Sequence, residues 1–436
     1  MNTPIIEIVQ TTGQIFSDGT VIELMRNVNN QGIALVRWKN EHFETADRVE
    51  HSGAVYSAAP VPPSIVRAVR LPARIGPPET TEDLFRDLHS FFTGHSGQLD
   101  SCVTPLVFAV FASWLSPVLP IAPIVSIFAP PGSPKTRILQ LLGMVCRHPL
   151  CLVGLTRRDL LRLPWSLAPT LLLDEPDSKP SVQTILRAST QRGMNVAAGD
   201  GILDLFGPKI IISSKPLSDT SLEGEVVQLA LMPTSGNMPP FEKTEEEETA
   251  ERFQARFLGY FLRNFNNVVV PKFGVSHLRQ PLQLLAQTLG SVVVGDEKLQ
   301  AKIFSILAIQ NEEQRTESAR SLDSVVIEAL LFFVHEGRQS KVRAQEVAEK
   351  ASQIYEGRGS RHIVSSESMG WAIKRLRIPS GRIDRAGNGV ELAVDVCRQV
   401  HRLALSYDVL AMRAGLHESC RFCEDLRLAH GDVPNQ

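Results

Sequence analysis

Residues 124–143 read IVSIFAPPGSPKTRILQLLG, and the fold class turns on them. Ile124 to Phe128 make a short, uninterrupted apolar run, the pattern of a strand buried on both faces. A tight turn follows, Ala129-Pro130-Pro131-Gly132-Ser133-Pro134, and Lys135-Thr136 then opens a segment with helical spacing of apolar residues. Strand, tight loop, Lys-Thr and helix, in that order, is the context of a phosphate-binding loop. Such a loop turns backbone N–H groups inward, sends a Lys to the β/γ-phosphates and a hydroxyl to Mg2+. Lys135 and Thr136 supply the last two, so 129–137, Arg137 included, is the candidate nucleotide-binding segment. Two positions depart from G-x-x-x-x-G-K-[ST]. Ala129, at the first Gly, adds a methyl; Pro134, at the second, removes an N–H and fixes φ at about −65°.

Four more short apolar runs follow, LCLVG, TLLLDE, KIIISS and VVQLAL, with helix-length segments between most of them. That alternation predicts a parallel sheet with helices on both faces, an α/β P-loop NTPase core over 124–240. The run from Thr170 ends in Asp174-Glu175. Paired carboxylates at a strand's C-terminal end, downstream of a phosphate-binding loop, form the Walker B arrangement. Asp174 would hold Mg2+ through water and Glu175 would orient the attacking water. KIIISS ends in Ser213 and Ser214, where a hydroxyl can meet that water or the γ-phosphate. The catalytic candidates are thus Lys135, Asp174, Glu175, Ser213 and Ser214, with Thr136 and Asp174 at Mg2+. Gly199-Asp200-Gly201 separates two apolar arms and predicts a β-hairpin over 196–206.

The whole chain has 436 residues, 43% of them hydrophobic, with 45 Lys+Arg against 47 Asp+Glu. That excludes a disordered chain and one basic throughout, and leaves room for about three domains. Six Cys in this length do not make a disulfide framework, so a reducing, cytoplasmic setting is expected. Cys102, Cys146, Cys151 and Cys397 lie in apolar sequence and read as structural. The start, MNTPIIEIVQ, lacks a signal-peptide pattern. Residues 101–134 carry no charge and are long enough to span a bilayer, but Pro105, Pro117, Pro120 and Pro123 divide them. A buried helix and a buried strand are expected there, with no membrane partner. Residues 1–60 alternate as a small β-rich, antiparallel module; 61–123 hold a Pro-rich linker and a helical segment with Thr81 as its N-cap. Residues 241–321 form a helical, lid-like region.

Residues 322–410 begin with LDSVVIEALLFFVHE, a helix capped by Asp323, and continue with RAQEVAEKASQIY. A third helix opens at Ser365 and runs through MGWAIKRLRI; SGRIDRAGNGVELAVD, with its Gly-Asn-Gly turn, reads as a β-wing. Three short helices and a wing predict a winged helix-turn-helix. Between residues 338 and 385 there are 11 Lys/Arg against 5 Asp/Glu. Lys374, Arg375 and Arg377 at the end of the third helix, with Arg382 and Arg385 in the wing, would neutralise DNA phosphates. A winged helix used for protein contacts is the competing reading. In 411–436, Cys420-Arg421-Phe422-Cys423 is a C-x-x-C flanked by His417 and His430, a set that suits Zn2+. Two ordinary thiols on a terminal helix are the alternative.

FAPPGSPKTRILQLLG, PTLLLDEPD and FGPKIIISSKPLSDTSLEGEVVQLAL together resemble the ATPase core of replication helicases and primase–helicases carried by phages, plasmids and other mobile elements. More broadly they look like AAA+ modules of the MCM kind. LDSVVIEAL, SSESMGWAIKRLRI and GNGVEL are similar to the C-terminal domains of those helicases. The resemblance covers about residues 80–410. It implies ATP and Mg2+ as cofactors, DNA and replication proteins as partners, and a homo-oligomer, in ring form, with nucleotide between subunits. It implies a DNA-dependent ATPase that couples hydrolysis to movement, with the 196–206 hairpin pushing against DNA. The resemblance breaks after the sensor strand. Related proteins read D-x-A-L-x-S-R; here Asp219-Thr220-Ser221-Leu222-Glu223-Gly224-Glu225 puts Glu in the place of the Arg. An arginine finger is worth about 10³–10⁵ in rate, and Arg187, Arg192 and Arg252 are the candidate substitutes. Pro134 and Glu225 keep a second expectation open, a P-loop protein with weakened or lost turnover that serves as a nucleotide-regulated DNA-binding or scaffold module. A membrane-associated NTPase, resting on 101–134, is a third.

Overall fold

The computed structural model describes residues 8–27, 32–199, 201–215, 225–234, 240–270, 278–336, 339–384, 387–409, 417 and 420–430. For Asp384 and residues 426–430 it describes the backbone alone. The chain divides into two compact units, Met1–Gln310 and Asn311–Gln436, the division falling within the helix Glu297–Ala319.

The first unit is built on five parallel strands, β1 (Ile124–Phe128), β2 (Pro149–Val153), β3 (Thr170–Asp174), β4 (Lys209–Ser213) and β5 (Val227–Ala230). Their order across the sheet is β5-β1-β4-β3-β2, and every pairing is parallel. Alternate side chains enter opposite cores. Leu172, Ile210, Ile212, Val125 and Ile127 pack with the helices Thr81–Ser96, Asp100–Leu115, Lys135–Val145 and Lys243–Asn264. Leu171, Leu173, Ile211 and Ile124 pack on the other face with the helix Pro180–Ala188. Both parities are buried, which is why these strands read as continuous apolar runs. With β4 on one side and β5 on the other, β1 stands where the strand order reverses. The crevice outside the C-terminal strand ends at such a point is where open α/β sheets take ligands.

The uncharged stretch at 101–134 serves this core. Every side chain from Cys102 to Leu115 is buried in the helix Asp100–Leu115, which begins before Pro105. The segment Asp100–Val118 is long and apolar enough to cross a membrane by composition, but 83% of it is buried inside the protein. The helix Thr81–Ser96 is capped by Thr80 rather than Thr81: Asp83 N–H donates to the Thr80 hydroxyl at 3.0 Å. Thr81, one position on, donates its hydroxyl to the Val294 carbonyl at 2.8 Å. Cys102, Cys146 and Cys397 are buried, whereas Cys151 is exposed on the edge strand β2.

The N-terminal residues form two small sheets. One is antiparallel, Gly13–Ile15, Val21–Arg26, Ile33–Lys39 and His42–Ala46. In the other, Ala54–Ala58 pairs antiparallel with Arg48–His51 and parallel with Ile8–Thr11. Val21, Met25, Val36 and Trp38 enter one of the two cores of the first unit, and Ile22, Leu24 and Leu35 enter the other. A buried ionic cluster lies at the same junction. Arg147 donates from Nη2 to Glu23 Oε2 at 2.8 Å, and His148 Nε2 stands 3.4 Å from Glu23 Oε1. Glu23 is 2% exposed and Arg147 3%, so the pair is shielded from water.

In the second unit the helices Leu322–His335, Ala344–Gly357, Ser366–Arg375 and Val394–Ser406 surround a common core. A small antiparallel sheet places Gly387–Glu391 between Lys341–Arg343 and Gly381–Asp384. The first of these helices is capped by Ser321, which accepts from Ser324 N–H at 3.2 Å, rather than by Asp323. Ser365 caps the third, accepting from Ser368 N–H at 3.1 Å.

Candidate nucleotide site

Residues 129–134 leave the C-terminal end of β1, and their backbone bonds show how little of a phosphate cradle they offer. Ala129 N–H donates to the Ser213 carbonyl of β4 at 2.9 Å, which fixes the start of the loop. Pro130, Pro131 and Pro134 have no N–H. Ser133 N–H is engaged by the Pro130 carbonyl at 3.1 Å and Lys135 N–H by the Ser133 carbonyl at 2.9 Å. Gly132 turns the chain at φ +84°, in the region that favours glycine. Gly132 and Thr136 keep backbone N–H groups with no intramolecular acceptor among the described residues. Thr136 is exposed on the first helical turn, and the Arg137 guanidinium lies 4.4 Å over the Phe241 ring.

The carboxylate pair closes the site from the other side. β3 ends at Asp174, half-buried and without a side-chain hydrogen bond or ion pair among the described residues. Glu175 then takes φ +46°, uncommon for a residue with a side chain, and its N–H donates to the Ile212 carbonyl of β4 at 2.9 Å. This turn carries the carboxylate over the end of β4. Ser213 Oγ donates to Oε2 at 3.2 Å, Ser214 N–H donates to Oε1 at 2.8 Å, and Lys135 Nζ reaches Oε1 at 2.7 Å. Burial alone would raise the Glu175 carboxyl, but the bonds from Lys135 and Ser214 outweigh it and hold the group at about 2. The structure therefore brings Lys135, Glu175, Ser213 and Ser214 together from the ends of three neighbouring strands. A phosphate taking Lys135 would compete with Glu175 for its ammonium, and the ionised carboxylate can accept a hydrogen bond from water.

The predicted hairpin is present: Asn195–Ala198 pairs antiparallel with Gly201–Asp204, Ala198 opposite Gly201. Asp200, in its turn, lies outside the described residues. Met194 and Ile202 are exposed, Ile202 by 74%. Leu205 and Phe206 return into the fold as buried residues just ahead of β4. There Lys209 is 1% exposed and donates to the carbonyls of Ser189 and Leu205, at 3.3 Å each, and of Gly207 at 2.5 Å. Burial pushes its ammonium down to about 7. Nothing in the sequence distinguished Lys209 from an ordinary strand-opening lysine. Arg192 is tied to the carbonyls of Ser116, Pro117 and Leu119 and lies 4.2 Å over Phe206, a structural pin. Arg187 is half-buried at the end of its helix, and Arg252 lies 5.1 Å over Phe253. Glu225 lines a groove with Thr190, Gln191, Gln280 and Gln283 near the N-terminal end of β5. Residues 219–224 lie outside the described residues.

In the second unit, Lys374 is exposed with its ammonium 5.6 Å from the Trp371 ring, and Trp371 itself is 67% exposed. Helical spacing sets Trp371 off the buried face of Met369, Ala372 and Ile373, and the sequence reading passed over it. Arg375 is bound to Asp323, Nε to Oδ2 at 3.0 Å, so an ion pair competes with any phosphate for it. Arg377 and Arg382 are exposed; Arg385 lies outside the described residues. Cys420 and Cys423 stand beside His335 and His401. His417 stacks on the His335 ring at 4.9 Å, and the His430 side chain is not among those described.

The five-stranded parallel sheet with flanking helices fits an α/β core of the NTPase kind. No protein-family model matches the sequence, and no curated protein matches it. Solved structures similar in fold include the C-terminal region of NrS-1, 11% identical, with a TM-score of 0.34 over 85% of this chain and 96% of that one. A full-length MCM homolog from Methanopyrus kandleri is 10% identical, with a TM-score of 0.38 over 67% of this chain and 76% of its own. Drosophila ORC bound to DNA is 11% identical, at 0.20 over 76% and 93%. At these scores the likenesses are to the outline of a fold and carry nothing about activity.

Proposed function

We propose that this chain is a helicase-like, DNA-dependent ATPase with an AAA+-type core, acting in replication or in the maintenance of a mobile element. The observation that carries the reading is the meeting of Lys135, Glu175, Ser213 and Ser214 at the reversal point of a parallel sheet. Lys135 and 129–137 would receive the nucleotide phosphates, with Thr136 and Asp174 at Mg2+. ATP with Mg2+ supplies the leaving group and the charge neutralisation of phosphoryl transfer. Glu175, held ionised, orients a water, and Ser213 and Ser214 set the carboxylate's position. The hairpin ahead of β4 meets DNA, 322–410 act as a winged helix, and copies assemble into a ring that works beside replication proteins.

A second reading has specific support. The Ser133 and Lys135 N–H groups are engaged within the loop, Pro134 offers none, and Glu225 stands where a finger arginine is expected. A weakened, nucleotide-regulated DNA-binding or scaffold module would have these features. The deciding measurement is ATP hydrolysis by the purified chain, with and without single- and double-stranded DNA, beside Lys135→Ala and Pro134→Gly. Turnover stimulated by DNA and lost in Lys135→Ala is expected. If the natural chain is silent and Pro134→Gly hydrolyses ATP, the loop is the defect and the second reading replaces the first.

The basic surface predicts a separate result. Lys374→Ala should weaken binding to unrelated DNA sequences alike and reduce the slope of log K against log salt by about 0.9. Fluorescence anisotropy over a salt series reads both. A loss confined to one DNA sequence would count against a phosphate contact.

A further inference from the structure

We propose that His335, His401, Cys420 and Cys423 form a structural zinc site that fastens the C-terminal helix to the second unit. The four residues come from three places in the sequence. His335 ends the helix Leu322–His335, His401 lies within Val394–Ser406, and the two cysteines sit at the start of Arg421–His430. Their ligand atoms all lie within 4.8 Å of one another.

Three edges of this cluster come close to those of a coordination tetrahedron. Zn–N bonds of about 2.0–2.1 Å and Zn–S bonds of about 2.3 Å imply N···N edges of about 3.3 Å and N···S edges of about 3.5 Å. His335 Nε2 and His401 Nε2 are 3.0 Å apart. Cys420 Sγ is 3.4 Å from His401 Nε2, and Cys423 Sγ is 3.5 Å from His335 Nε2.

The chemistry around the cluster agrees. His401 Nδ1 lies 2.7 Å from the Cys397 carbonyl, an oxygen that can only accept, so Nδ1 carries the proton. In the neutral ring the lone pair then sits on Nε2 and points into the cluster. This is the outer-shell bond that orients a metal-ligating histidine. Two thiolates and two imidazoles select Zn2+ over Mg2+ or Ca2+, and a set of four protein ligands leaves no open position, the mark of a structural site. Two thiolates also neutralise the ion, which suits a place where His401 and Cys423 are 1% and 0% exposed. The terminal helix has 10 residues, too short to hold its shape unaided. A metal would supply the missing fixation.

The experiment uses the full chain expressed without a histidine tag. Elemental analysis should find about one zinc per chain, falling to near none in His335→Ala, His401→Ala, Cys420→Ser and Cys423→Ser. His417→Ala and Cys397→Ser should keep it. Because a ligand variant can fail by misfolding, the natural chain refilled with Co2+ gives a second readout. Tetrahedral visible bands together with thiolate-to-cobalt charge transfer are expected. The proposal is overturned by a natural chain that holds no zinc and gives no such spectrum. It is equally overturned by zinc that survives the His335→Ala, His401→Ala pair or departs with His417→Ala. In those cases the four groups are a hydrogen-bonded cluster, or the ligands lie elsewhere.

Discussion

Replacing Arg147 with Ala is expected to cost the first unit about 3–5 kcal/mol, because it leaves the Glu23 carboxylate buried without its partner. Urea unfolding of the two proteins measures the loss. Glu23→Gln with Arg147→Met should recover much of it, since removing both charges avoids the orphan. The same pair predicts a response to acid. Burial would raise the Glu23 carboxyl, but the Arg147 charge and the His148 bond outweigh it, holding it at about 2 against an ordinary 4.5. A carboxyl depressed by folding contributes its full stability above its unfolded value and loses it as pH falls through the folded one. Stability should therefore decline from about pH 4.5 towards pH 2, and less steeply in Arg147→Ala. An unchanged midpoint in urea at neutral pH would show that the cluster does not hold the N-terminal sheets to the core.

Glu175→Gln should separate two quantities that usually fall together. Turnover should drop by about 10²–10⁴, since a neutral amide holds and polarises the attacking water far less well than the carboxylate. ATP binding should tighten instead. The carboxylate that holds Lys135 at 2.7 Å is gone, and the ammonium is released to the phosphates. The exposed pair is worth about 0.2–1 kcal/mol, so the gain is a few-fold at most. Single-turnover hydrolysis and equilibrium binding of a fluorescent ATP analogue read the two effects. If binding and hydrolysis weaken together, the Lys135–Glu175 pair is part of the binding geometry and not a competitor to it.

The three central strands were legible because each is buried on both faces, so IVSIF, LLL and KIII need no alternation to be recognised. The hairpin was legible for a different reason, a Gly-Asp-Gly turn between two apolar arms. His42–Ala46 carries no core pattern to read, because all five of its residues are exposed. The caps at Thr80 and Ser321 were displaced by one or two positions, since each lies near a second residue that caps equally well. At the candidate nucleotide site, the residue types pointed to Lys135, Asp174 and Glu175. The sequence could not announce the ion pair between two of them, which depends on the left-handed turn at Glu175. His335 and His401 were unreadable as partners of Cys420 and Cys423, because chain separation hides what helix packing brings together. Arg375 reads as a phosphate ligand, and its ion pair with Asp323, far back in the chain, is invisible to that reading.

The position of β4 has a mechanical consequence. At one end the strand is anchored by the buried ammonium of Lys209 and continues back into the hairpin arms. At the other, Ser213 and the following N–H grip the Glu175 carboxylate. Between them runs a rod of about 16 Å, braced along its length by β1 on one flank and β3 on the other. A strand braced on both flanks cannot buckle sideways. The hairpin arms and the Glu175 carboxylate thus stand at opposite ends of one strand that both neighbours hold in register.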